Sequence, residues 1–241
     1  MAITSTKAIV MNSIKYGDSS LIVRLYTEEF GLVSYMLKGV LKSKKGKLKA
    51  AYFQPLTLLS VVCSHQEKRS LQSLRDAQVT YMYQKIPLDI VKQSVAMFLS
   101  EVLSHSIKEE ETNQLLFQYL ENSFIWLDSH ENSSNFHLLF LLKLTKFLGF
   151  YPDTTENNLI GFHLREGVFT NDLHEKEIVT GDEIVQLKKL LGINFDSIDS
   201  VKFSRSQRQA LLKMLIRYFE LHLDGFRSPK SLGVLEAVFS R

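Results

Sequence analysis

The chain has 241 residues, 45% of them hydrophobic, and a net charge of +3, enough apolar material to bury a good core in one large domain or two modest ones. Its single cysteine, Cys63, excludes a disulfide framework and a cysteine metal site, and reads as a small buried hydrophobe. The longest apolar patch, Phe136 to Phe150, is interrupted by Lys143 and Lys146 and is too short to span a bilayer, and no N-terminal stretch is ordered like a signal peptide; the expectation is a soluble, cytoplasmic protein with no membrane contact.

The first third is strand-like. Lys7 to Ile14 is rich in β-branched and apolar residues, and Tyr16-Gly17-Asp18-Ser19-Ser20 is a turn. Leu21 to Thr27 alternates, with Leu21, Val23 and Leu25 on one face and Ile22, Arg24 and Tyr26 on the other. A tight connection at Glu28 to Gly31 leads into a third strand, Leu32 to Leu37. Leu56 to Val62 predicts a fourth, and Leu71 to Tyr83 supplies a fifth with a bend. Five short strands joined by polar turns suggest a small closed barrel of the OB type, with a β-sandwich fragment as the alternative.

Between the third and fourth strands lies the run KGVLKSKKGKLK, residues 38–49, with six lysines, two glycines and no acid. A lysine-rich loop on a rigid β scaffold can hold a polyanion, and the competing reading is a solvated loop kept basic for solubility. Residues 1–84 carry 12 Lys plus Arg against 5 Asp plus Glu, a balance of +7; residues 85–241 carry 17 against 21, a balance of −4. A basic N-terminal third on a mildly acidic body steers a polyanion to one end.

After Pro87 the apolar period becomes helical. Leu88 to His105 and Thr112 to Leu127 predict two helices, the second preceded by Glu109-Glu110-Glu111, which favour a helix N-terminus. Ser134 to Leu148 is strongly apolar and ends at Gly149, with Pro152 beyond. Residues 153–179 break the pattern as a short irregular hairpin. Thr180 is expected to cap a helix to Leu191, Ser204 with Gln207 to cap one to Leu223, and Ser228-Pro229 to open the last. The fold class is therefore α+β: an N-terminal OB-type β-barrel over 1–84, the nucleic-acid-binding domain, followed by a mostly α-helical C-terminal domain over 85–241 carrying the 153–179 insert.

No catalytic constellation is present. The glycines are too scattered for a phosphate loop, and neither His-Glu-x-x-His nor Gly-x-Ser-x-Gly occurs. The histidines form no ligand set. Nucleic-acid binding by OB barrels combines a basic groove with aromatic stacking. Arg24 and the loop lysines Lys38, Lys42, Lys44, Lys45, Lys47 and Lys49 are the candidate contacts. The candidate aromatics are Tyr16, Tyr26, Tyr35, Tyr52 and Phe53; Tyr26 shares a strand face with Arg24, which offers it exposure, while barrel core or domain interface is the favoured reading for any single one of them. Arg205, Arg208, Lys213 and Arg217 make a second, looser basic flank on a helix, or a solvated face.

The order YGDSSLIVRLYTEEFGLVSYMLKGVLKSKKGKL, followed by FQPLTLLSV, resembles the N-terminal domain of the RecO family of bacterial recombination mediators. The resemblance rests on Ser19-Ser20, Arg24, the turn Thr27-Glu28-Glu29-x-Gly31, the step Lys38-Gly39, and Gln54-Pro55. It continues more weakly through Phe140 to Leu144 and Leu148-Gly149-Phe150-x-Pro152. Many members follow that last motif with a four-cysteine zinc site; here Asp153 to Thr180 holds no cysteine, so neither zinc nor another cofactor is expected and the insert must be held by packing. The resemblance implies a non-enzymatic protein that binds single- and double-stranded DNA, anneals complementary strands, pairs with RecR, and acts on DNA coated by single-strand-binding protein to help load the recombinase RecA. It implies a cytoplasmic, nucleoid-associated location. The acidic, apolar-ended tail of a single-strand-binding protein needs an apolar pocket rimmed by cations, for which Phe140, Lys143, Lys146 and Phe147 are the candidates, unless both lysines only snorkel from a core helix. An RNA-binding OB protein and a structural adaptor are the alternatives.

Overall fold

The computed structural model describes residues 3–42, 47–66, 69–108, 111–131 and 133–239. They form two compact units, residues 1–129 and 130–241.

Unit 1 begins with five antiparallel strands: β1 Ile3–Tyr16, β2 Ser20–Thr27, β3 Gly31–Leu37, β4 Leu58–Ser64 and β5 Ser73–Tyr81, in sheet order β3-β2-β1-β4-β5. The sheet closes on itself just ahead of β5. Gln72 N–H donates to Ser34 O at 2.8 Å and Met36 N–H donates to Gln72 O at 2.9 Å, a short parallel bridge that joins the two edge strands. Closure in the order 1-2-3-5-4 gives the OB topology expected from the strand pattern. Inside lie Val10, Val23, Leu25, Tyr35, Val61 and Cys63. Phe53 joins them from a short 3-10 helix, Ala50–Phe53, between β3 and β4. Leu56, read as the start of the fourth strand, instead sits at φ 64, and the left-handed backbone delays β4 to Leu58.

A β-bulge between Val10 and Asn12 flips the register of β1. Before it, Ile9 pairs Tyr26 on the outer face; after it, Asn12, Ile14 and Tyr16 pair Arg24, Ile22 and Ser20 on that same face. Two helices, α1 Ile90–Ser106 and α2 Gln114–Ser129, belong to this unit. The division expected near Ile86-Pro87 marks the change from strands to helices, whereas the compact units part at 129/130, because α1 and α2 pack with the barrel. The Tyr26 ring stacks on Phe117 of α2 at 6.2 Å, Ser104 of α1 donates to Met11 O at 3.4 Å, and Lys7 meets Glu121 at 3.1 Å.

A single carboxylate ties the exit of β5 to the end of α2. Asp128, 1% exposed, accepts from the backbone N–H groups of Gln84, Lys85 and Ile86 at 2.8–2.9 Å and from the Tyr81 hydroxyl at 3.2 Å. The buried Lys92 ammonium donates to Asp128 O at 3.1 Å. The start of α2 is capped by Asn113, whose Oδ1 accepts from Leu116 N–H at 2.9 Å. Of the acids expected to favour this helix start, Glu109 and Glu110 lie outside the described residues.

Unit 2 contains α3 Phe136–Phe147, β6 Gly161–His163, β7 Val168–Thr170, β8 Ile178–Thr180, α4 Asp182–Leu190, α5 Arg205–His222 and α6 Leu232–Val238. Residues 136–142 of α3 are all buried, as the apolar first two turns of the helix require, and His137 is buried among them. The insert is a three-stranded sheet, β7-β6-β8, rather than a hairpin. It is held by Phe162 and Phe169, with Phe162 packed edge-on against Tyr218 of α5. Gly167 turns there at φ 70, and a Cβ would lie 2.6 Å from the Tyr218 hydroxyl. Ser204 and Gln207 form the expected capping box of α5. Two expected caps are displaced: α4 starts after Gly181 with no side-chain cap, and α6 starts after Ser231, with Pro229 in the preceding turn.

Candidate nucleic-acid interface

The lysine run leaves the barrel at the end of β3. Gly39, at φ 70, turns the chain so that its N–H meets Ser20 Oγ at 3.3 Å and Leu41 N–H meets Ser19 O at 2.9 Å. The start of the loop is thus pinned to the β1–β2 turn. Val40 is buried and Leu48 packs against the barrel core, so these two apolar residues anchor the loop while Lys38, Lys42, Lys47 and Lys49 stay exposed. The Lys49 ammonium lies 5.6 Å from the centre of the Tyr52 ring. Lys44 and Lys45 fall outside the described residues.

Arg24 projects from the outer face of β2, opposite Ser34 of β3. It lines a cleft of about 350 Å³ with Phe30, Ser34, His65, Arg69 and Gln72. Phe30 and His65 stack there at 4.5 Å with a 7° angle between rings, and Glu29 is an acid on the rim. A second cleft, of about 520 Å³, runs between Met36, Lys38, Leu48 and Leu71, and it too is lined by Arg69 and Gln72. The two therefore form one band across the barrel, from Arg24 past Arg69 to Lys38. Arg69 is absent from the candidates that the sequence suggests. It sits in a polar turn with no periodic signal, and only closure of the barrel at Gln72 carries that turn to Arg24. The Gln72 side chain shapes the turn by donating to Gln66 O and Arg69 O, at 2.7 and 2.6 Å.

Of the five candidate aromatics, Tyr26, Tyr35 and Phe53 are buried, Tyr52 is half-buried, and Tyr16 is exposed. Tyr26 stacks on Phe117 of α2, the core-or-interface outcome rather than an exposed ring. Among the described residues, no three His, Cys, Asp or Glu side chains gather as a metal-ligand group, and no helix is long and apolar enough to cross a membrane. His163 in the insert pairs with Glu175 at 3.0 Å.

The remaining candidates lie in unit 2. Among the α5 cations, Arg217 meets Glu177 and Glu220, Lys213 meets Glu236 at 3.6 Å, and Arg208 donates to Phe203 O and lies 5.7 Å from the Phe239 ring. The Glu177 carboxyl is held below its usual range by the Arg217 hydrogen bond. Arg205 is exposed at the helix start. On α3, Phe140 is fully buried, which corrects its placement on an open apolar surface, while Lys146 is exposed and Phe147 half-buried. Lys143 donates to Asn194 Oδ1 at 3.1 Å, and burial followed by the Lys146 charge lowers its pKa.

The geometry is that of a basic, open barrel face with a lysine loop at its edge. The family model for the recombination protein O N terminal domain matches residues 1–83, and that for the recombination protein O C terminal domain matches residues 87–232. The chain is 46% identical over 234 residues to the DNA repair protein RecO of Christiangramia forsetii, covering 97% of this chain and 98% of that one. The DNA repair protein RecO of Flavobacterium johnsoniae is 45% identical over 235 residues, covering 98% of each chain. That of Bacteroides fragilis is 36% identical over 239 residues, covering 97% of this chain and 98% of its own. Matched over residues 1–83 and 87–232 by the two domain models, and over 97–98% of its length by these relatives, the chain belongs to the RecO family.

Proposed function

We propose that this chain is a non-enzymatic DNA-binding protein of recombinational repair, acting in the cytoplasm on the bacterial nucleoid. It binds single- and double-stranded DNA, anneals complementary strands, pairs with RecR, and helps load the recombinase onto DNA coated by single-strand-binding protein. The observation that carries the DNA-binding part is the lysine loop. Its apolar residues Val40 and Leu48 are held by the barrel, while Lys38, Lys42, Lys47 and Lys49 point into solvent beside the band that runs from Arg24 to Arg69. Such an array neutralises phosphates without reading bases, which is what pairing of arbitrary complementary strands requires. The repair role and the partners follow from the names of the relatives and from the family resemblance.

Binding of labelled single- and double-stranded DNA at several salt concentrations tests the reading. Changing Lys38, Lys42, Lys47 and Lys49 to Ala should weaken binding and flatten its salt dependence together, by about 0.7 in log–log slope for each single-strand phosphate left without a cation. An unchanged slope removes the loop from the interface. Tighter binding to RNA than to DNA of equal length favours the RNA-binding alternative, and no affinity for either at low salt favours an adaptor.

A further inference from the structure

The outer face of strands β1, β2 and β3 carries two apolar stretches separated by the polar row Asn12–Arg24–Ser34, and only one of them is covered. The row Ile9–Tyr26–Leu32 is 0%, 1% and 6% exposed, with Phe117 of α2 stacked on Tyr26. Two rows further on, past Asn12–Arg24–Ser34, comes Ile14–Ile22–Met36, and then Tyr16 beside Ser20. This half is open: Ile14 is 60% exposed and Tyr16 57%, with Ile22 and Met36 partly covered. The bulge at Val10/Asn12 puts Ile14 and Tyr16 on this face; without the register shift they would point into the barrel.

The chemistry around this open half names an occupant. Lys15, Lys38 and Lys42 are exposed beside it and Arg24 rises within it, against a single acid in the adjoining turn, Asp18. An apolar surface with one aromatic, ringed by cations, suits a polyanion with planar apolar groups. Successive side-chain rows on one strand face are about 6.8 Å apart. That is about twice the 3.4 Å rise per nucleotide of one duplex strand. One side chain inserted between two bases opens a step by that amount, as apolar wedges do elsewhere.

We propose that the uncovered sheet face formed by Tyr16, Ile14, Ile22 and Met36, with Arg24, is a stacking platform for the bases of single-stranded nucleic acid, with Tyr16 as its leading ring. The platform rests on the reading that the lysine loop holds the phosphates. It supplies the part of the affinity that salt does not screen, and it continues into the cleft where Phe30 stacks on His65.

The test compares the full-length protein with Tyr16→Ala and Tyr16→Phe, using a single-stranded oligonucleotide and a strand of the same length made of abasic sugar-phosphates. Base stacking on an aromatic side chain is worth about 1–3 kcal/mol, so Tyr16→Ala should lose at least about fivefold in affinity for the normal strand. Its salt slope should be unchanged, Tyr16→Phe should bind like the parent, and the abasic strand should bind parent and Tyr16→Ala alike. Equal affinity of parent and Tyr16→Ala for the normal strand, with the lysine dependence intact, overturns the platform and leaves the loop reading standing. The same result with loss of binding to an added protein partner assigns the face to that partner instead. No lysine-dependent binding by the parent overturns both. A thermal midpoint for Tyr16→Ala equal to the parent's shows that the barrel is folded in each case.

Discussion

Asp128 offers a sharp test of how the barrel and the first two helices are joined. Its carboxylate accepts three backbone N–H groups and one hydroxyl while 1% exposed. Burial alone would raise its pKa. The hydrogen bonds from Gln84, Ile86, Lys85 and Tyr81 outweigh burial, and the carboxyl titrates below its usual range. Replacing Asp128 by Ala strands the Ile86 N–H, whose bond is buried, at about 1–3 kcal/mol, and removes charge-assisted bonds to three part-buried groups that water can partly replace, together about 2 kcal/mol. The expected loss is about 4 kcal/mol; Asn, which keeps one acceptor oxygen, should lose about half of that. Trp126, the sole tryptophan, stands two residues away on α2, so its fluorescence in urea follows this unit directly. With a slope of about 2 kcal/mol/M, the midpoint should fall by about 2 M for Asp128→Ala. Because the folded pKa is depressed, the carboxylate's contribution is complete above the unfolded value of about 3.9 and is lost as pH falls through the folded value. The gap between parent and Asp128→Asn should therefore be constant near neutrality and close below about pH 4. An Asp128→Ala midpoint within 0.3 M (roughly 0.6 kcal/mol at that slope) of the parent would refute the reasoning.

Four further outcomes are expected. Gly167→Ala should destabilise unit 2 by about 2 kcal/mol, read by thermal unfolding, because the added Cβ meets the Tyr218 hydroxyl at 2.6 Å in a left-handed backbone. Ser204→Ala removes the capping box of α5 and should cost about 1 kcal/mol in the same measurement, with Ser204→Asp close to the parent. Elemental analysis should find no stoichiometric zinc, and a chelator should leave the circular dichroism unchanged; one zinc per chain would direct attention to His163 and His174. A fragment ending at residue 84 should aggregate, whereas one ending at residue 129 should show a cooperative transition, since the outer-face side chains Ile9, Tyr26 and Leu32 are buried in a unit that extends to 129.

Most of the barrel was legible in the sequence because its strands alternate cleanly and its turns carry Gly and Asp. The capping box at Ser204 and Gln207 was legible for the same local reason. What escaped depended on contacts distant in sequence. Alternation put Tyr26 on the face with Arg24, correctly, but says nothing about what covers a face, and Phe117 covers it. β8 is three residues long, too short for a period, and exists only because β6 offers it an edge. Thr180 looked like a cap since its residue type fits one, yet it ends β8 and Gly181 takes the cap position. Phe140 was placed on a surface by the lysines near it in sequence, although α3 is buried nearly all round. Arg69 carried no signal at all, because its position is set by the bridge that closes the barrel.

That bridge rests on Gln72, whose backbone fastens β5 to β3 while its side chain holds the turn bearing Arg69. The seam of the barrel and one wall of the band proposed to bind DNA are thus the same residue. A strand drawn across Arg69 pulls on the stitch that keeps the cylinder shut, and whatever loosens the stitch displaces Arg69. Affinity and barrel integrity cannot be tuned separately at this position, so a loss of DNA binding on substituting Gln72 would report on architecture as much as on contact.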